Sequence, residues 1–182
     1  MSNTNRERLG LLTVMCPQIF REPGTVLYVG AHSRRFWGSG ALVKAGNTLT
    51  VLEIWKPFLE ALMASRFKGR VTNAILGDVT KLSTVTFPSR TFDHICWFHG
   101  PEHVEKEAGV AALKELWKMT RGTLVASCPW GQFRHGVAHN NPYTVHKSHW
   151  YPEDLKPLKM RYATIGPKDR PGGQLQAWRT RK

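Results

Sequence analysis

Thr25-Val-Leu-Tyr-Val-Gly30, followed by Leu49-Thr-Val-Leu-Glu-Ile54, is the part of the sequence that decides the fold. Each run is short, apolar and rich in β-branched or aromatic residues, and each stops at a turn former or a charge. That pattern predicts buried strands. Between them Phe36 to Ala45 is predicted helical, with Gly46-Asn47 as its C-cap. After the second run comes Trp55-Lys56-Pro57, where proline suits a first helical turn because its missing N–H costs nothing there. Phe58, Leu59, Leu62 and Met63 then give an apolar face at helical spacing to about Phe67.

The same alternation continues outward. Val71–Leu76, Phe92–Phe98 and Gly122–Cys128 read as further strands. The helix between the last two is expected to begin near Pro101, with Glu102 and Glu105 in its first turn and Lys118 in its last, as the helix dipole favours. A long loop over 129–151 leads to a short helix from Pro152 or Glu153. Met160–Ile165 and Gln174–Arg179 follow, joined by the turn-rich Gly166–Gly173 as a hairpin. Five strand–helix alternations and a closing hairpin predict a doubly wound, mostly parallel seven-stranded α/β sheet with helices on both faces and an antiparallel C-terminal pair. The expected organisation is an N-terminal extension over 1–22 and a single domain over 23–182.

The chain has 182 residues, room for one domain, with 41% hydrophobic and 21% charged residues. Three scattered cysteines exclude a disulfide framework, and no apolar run reaches membrane-spanning length. Arg6 and Arg8 before Leu9–Met15 faintly resemble a leader, but Pro17 and Arg21 interrupt it and no small-residue cleavage site follows, so a cytoplasmic protein starting at Met1 is expected. The formal net charge is +13, and residues 121–182 hold 11 basic against 3 acidic side chains. Such a field suits small anionic substrates or nucleic acid, and equally a solvated basic surface.

In sheets of this kind ligands bind at the carboxyl ends of the strands. The residues there are Gly30-Ala31-His32, Glu53-Ile54, Asp78-Val79 and Trp97-Phe98-His99. Glycine allows close backbone approach, Glu53 lies 23 residues past Gly30, where a carboxylate meets ribose hydroxyls, and Asp78 is placed to accept from an exocyclic amine. With Phe92–Val104 (which contains Pro-Glu-His-Val), Leu124–Pro129, and Asn141–His146 before Trp150–Leu155, this ordered set resembles the class I S-adenosylmethionine-dependent methyltransferases over about residues 24–180. The resemblance implies S-adenosyl-L-methionine as cofactor and S-adenosyl-L-homocysteine as product. It implies a cofactor site at Gly30, Ala31, His32, Arg34, Glu53, Ile54, Asp78, Val79, Trp97 and Phe98.

The glycine-rich motif departs from that family. Tyr28 occupies the usual acid position, and His32 and Arg34 replace the second and third glycines. Either Arg34 or Arg35 pairs with the cofactor carboxylate, or the loop is blocked and the site has decayed. His99 and His146 are the candidate proton acceptors, because histidine accepts a proton near neutral pH. In the 129–151 loop, Trp130, Phe133, Tyr143 and Trp150 interleave with cations and histidines, which suits an aromatic or anionic small-molecule acceptor, or a splayed nucleobase. Histidines 94, 99 and 103 with Cys96, and His135, His139, His146 and His149, match no usual zinc spacing, so no metal site is expected. The alternatives are a cofactor-binding enzyme of other chemistry, and a decayed domain serving as a basic nucleic-acid-binding module.

Overall fold

The structure is a computed structural model that describes residues 13, 16–30, 46–65 and 67–181. The predicted helix over 36–45, and with it Ala31, His32, Arg34 and Arg35, lies outside the described residues. The described strands are β1 (Thr25–Val29), β2 (Thr48–Glu53), β3 (Asn73–Leu76), β4 (Phe92–Phe98), β5 (Thr120–Pro129), β6 (Arg161–Ile165) and β7 (Gln174–Thr180). They form one seven-stranded sheet in the order β3-β2-β1-β4-β5-β7-β6. Strands β1 to β5 pair in parallel, and β7 runs antiparallel to both β5 and β6.

Strand alternation sorts the core into two layers. Leu27 and Val29 of β1, Ile95 and Trp97 of β4, and Leu124 and Ala126 of β5 face one side. There they meet Ala112, Leu113 and Leu116 of the helix Lys106–Lys118. Val26, Tyr28, Val51, Cys96 and Val125 face the other side, against Leu62 of the helix Lys56–Met63. Cys16 and Ile19, from and just before the short helix Gln18–Arg21, are buried in this second layer. Part of the expected N-terminal extension thus packs under the sheet. Burial pushes the Cys16 thiol up to about 12, with Arg161 opposing weakly.

Three of the boundaries that shift do so for an identifiable local reason. The helix after β2 ends at Met63 and not near Phe67, because the Ser65 hydroxyl donates to the Leu62 carbonyl at 2.6 Å and accepts from the Phe67 N–H. Strand β3 starts at Asn73 because Lys68–Arg70 forms a 3-10 turn. Pro101, Glu102 and His103 form a separate 3-10 turn, and the helix begins only at Lys106, so Glu102 is not a helix-start acid.

At the opposite edge, Asp93 ties three strands together. Its Oδ2 accepts from the Thr25 N–H at 2.8 Å and the Thr25 hydroxyl at 2.9 Å. Its Oδ1 accepts from Arg121 Nε at 3.1 Å. Partial burial pushes this carboxyl up, but the Thr25 hydrogen bonds and Arg121 outweigh it and hold it below its usual range.

Candidate functional site

The carboxyl ends of β1, β2 and β3 converge on one edge. Gly30 has φ +74°, a conformation that favours glycine, and its N–H donates to the Leu52 carbonyl at 2.9 Å. Among the described residues, a Cβ at this position would meet nothing within 4 Å. Glu53 ends β2 with only 5% of its surface exposed. Its Oε1 accepts from the Trp55 N–H at 2.8 Å, which fixes the carboxylate. The Glu53 carbonyl accepts from Gly77 N–H, so β3 delivers Asp78 alongside. Asp78 caps the 3-10 turn Val79–Thr84, with Oδ1 taking both the Thr80 N–H (2.8 Å) and the Thr80 hydroxyl (2.7 Å).

Trp97 and Phe98 leave β4 in opposite directions. Trp97 is 2% exposed and packs in the first core layer, while the Phe98 ring stands edge-on to Tyr28 at 5.8 Å. The Trp97 indole also lies over Gly100, where a Cβ would come within 1.8 Å of its Nε1.

Beyond β4 the chain places His99 at φ +50° and turns Glu102 inward. Glu102 is 2% exposed. His99 Nδ1 lies 3.5 Å from Glu102 Oε1, and His103 Nε2 lies 3.9 Å from the same oxygen. Burial pushes the Glu102 carboxyl up, but the His99 hydrogen bond and the two imidazoles outweigh it and hold it below its ordinary value. His146 joins this group from the 129–151 loop, with ring centroids 5.0 Å from His103 and 5.3 Å from His135. Its Nδ1 lies 2.6 Å from the Phe133 carbonyl, and burial lowers its pKa despite that bond. A carbonyl only accepts, so Nδ1 carries the proton and Nε2 presents the lone pair.

The loop is pinned to the Pro101–His103 turn. Lys147 and Ser148 N–H both donate to the Glu102 carbonyl, at 2.8 and 3.2 Å, and the Ser148 hydroxyl donates to the Pro101 carbonyl at 3.0 Å. Trp150 completes the lock by donating Nε1–H to Ser148 Oγ at 2.9 Å. Trp150 is 1% exposed, so this aromatic is a core residue and not a substrate contact. Further along, Tyr143 stands 5.9 Å from Trp55 and His139 stands 6.3 Å from Phe58, which brings the loop over the end of β2.

The structure therefore gathers Gly30, Glu53 and Asp78 on one edge and brings His99 and His146 to a common carboxylate. Glu102 as the centre of a histidine group was missed by sequence reasoning. The available signal was His-x-x-Glu-His over 99–103, which one tight turn folds onto itself.

The architecture matches solved structures across nearly its whole length. Magnesium protoporphyrin IX methyltransferase from Synechocystis PCC 6803 with bound SAM superposes with a TM-score of 0.67 at 11% identity, covering 98% of this chain and 79% of that one. The 1,6-didemethyltoxoflavin-N1-methyltransferase from Burkholderia thailandensis, with its substrate and S-adenosylhomocysteine bound, gives 0.66 at 17% identity, covering 98% and 78%. The chain has the class I methyltransferase fold. No family model matches the sequence, and no curated protein matches it. A Rhodobacter sphaeroides protein provisionally assigned to the Zn-dependent alcohol dehydrogenases also superposes, with a TM-score of 0.63 at 14% identity over the full length of both chains. The methyltransferase fold alone therefore does not carry the activity, which has to be argued from the residues of the site.

Proposed function

We propose that the protein is an S-adenosylmethionine-dependent methyltransferase acting on a small aromatic or anionic acceptor. The observation that carries this reading is Glu53, a buried carboxylate held at the end of β2 between Gly30 and Asp78. A carboxylate at the end of the second strand of such a sheet can accept from both hydroxyls of a ribose. We assign Gly30, Ile54, Val79, Trp97 and Phe98 to the same site because they end or follow strands β1 to β4. Ala31, His32 and Arg34 extend this assignment into residues outside those described.

When bound, the cofactor supplies an electrophilic sulfonium methyl. The chain's work is to align the acceptor with it and keep water out. We assign the second task to Trp55, which follows β2, and Tyr143, whose ring stands 5.9 Å from it. His146, neutral by burial and with Nδ1 committed to Phe133, offers Nε2 as a proton acceptor. His99 is the second candidate, held by Glu102.

The test is Glu53→Ala. Charged hydrogen bonds are worth about 1.5–3 kcal/mol each, so losing those to two hydroxyls weakens S-adenosylhomocysteine binding at least about tenfold. Unchanged affinity in a folded variant removes Glu53 from the site.

A further inference from the structure

We propose that Glu102, His103 and His146 form a binding site for a divalent transition-metal ion, with two imidazole nitrogens and one carboxylate oxygen as ligands. One donor atom from each of these residues lies within 4.8 Å of the other two. Small side-chain rotations bring such a group onto ligand bonds of about 2.0–2.2 Å.

The orientation of the rings supports a ligand role. His103 Nδ1 faces the Val145 carbonyl at 3.3 Å, and His146 Nδ1 faces the Phe133 carbonyl at 2.6 Å. Both carbonyls can only accept, so both rings carry the proton on Nδ1 and aim an Nε2 lone pair away from the backbone. This is the arrangement by which outer partners fix a metal-binding imidazole. The hydrogen bond from His99 explains only the Oε1 half of the carboxylate. Its Oε2 is buried and has no hydrogen-bond partner among the described residues. A buried carboxylate oxygen without a partner is costly, and a bound cation removes that cost.

The group is also built before any ion arrives. Glu102 and His103 share one 3-10 turn, and the Lys147 and Ser148 N–H groups clamp the His146 segment onto the Glu102 carbonyl. Two imidazoles and one carboxylate suit zinc, manganese or iron(II) better than calcium or magnesium, which prefer oxygen ligands. Three protein ligands leave coordination positions open, and the site sits beyond β4 on the edge that carries Gly30 and Glu53. An acceptor with an oxygen donor would bind there and have its proton acidified by the ion; His146 Nε2 is then a ligand, and His99 is left as the proton acceptor. That acceptor role rests on the methyltransferase reading, whereas the metal site itself does not.

The experiment is calorimetric titration of chelator-stripped protein with zinc chloride, with Co2+ absorption as a second signal. The expected result is one ion per chain and visible d–d bands. His103→Ala and His146→Ala should each weaken zinc binding at least about tenfold, a loss of the size outer-partner mutations already cause. His139→Ala, outside the group, should leave it unchanged. Glu102→Gln keeps the shape of the side chain and should alter the Co2+ spectrum even if the alanine variants fold poorly. No zinc binding, or binding equally strong in His103→Ala and His146→Ala, overturns the proposal. S-adenosylhomocysteine affinity measured on the same samples separates the two readings. Loss of the metal result with cofactor binding intact overturns only the metal site, and the reverse overturns only the methyltransferase reading.

Discussion

Gly100 shows how tightly single residues are specified near the site. A Cβ there would lie 1.8 Å from Trp97 Nε1, inside a core side chain that is 2% exposed. Gly100→Ala therefore forces the indole or the turn to move, and overpacking of this kind costs about 1–3 kcal/mol. The expected outcome is a lower melting temperature in a chain that still folds; an unchanged one would show that the Trp97 indole yields freely. The placement of Glu53 and Asp78 at strand ends was legible in the sequence, because Glu53 closes one apolar run and Asp78 lies just past Gly77 at the end of another. Glu102 was not. Its inward turn depends on a 3-10 break at Pro101–His103, and helix-dipole reasoning placed it in the first turn of a helix instead.

Among the elements, the strands were read most closely, because β-branched and aromatic runs leave little ambiguity. Strand β4 matches its predicted bounds, and the hairpin β6–β7 matches within a residue or so. Helix ends were less legible, since Ser65 and Pro101 act through local hydrogen bonds and turns that the apolar pattern does not report. The 129–151 loop is expected to bind through its aromatics, yet Trp150 is spent on the core. Asp93 gives the prediction that belongs here. Its folded pKa is depressed, so the unfolded chain binds more protons in acid and the carboxylate's contribution is present above the ordinary carboxyl range. That contribution is lost as the pH falls through the folded value. Asp93→Asn should be less stable than wild type at neutral pH, and denaturant titrations should show the gap closing in acid. A gap that persists at low pH would contradict an electrostatic tie between β1, β4 and β5.

For the whole molecule, the basic C-terminal third is partly committed to its own structure. Arg179 and Arg181 stack on Trp117 at 4.1 and 4.6 Å, Arg161 lies over Trp178 at 5.4 Å, and Arg121 pairs with Asp93. Four of the cations that suggested a polyanion partner therefore pack aromatic faces or satisfy a carboxylate. No helix among the described residues is long and apolar enough to cross a membrane. The mostly parallel seven-stranded sheet and its antiparallel end were legible from the rhythm of strands and helices; charge placement was not, because composition does not say which cations face solvent. The most direct measurement for the central claim is calorimetric titration of the wild-type chain with S-adenosylhomocysteine, run in parallel with NAD. The account predicts a single saturable site for S-adenosylhomocysteine and none for NAD. A folded protein that gives no heat with S-adenosylhomocysteine, or that binds NAD instead, contradicts it.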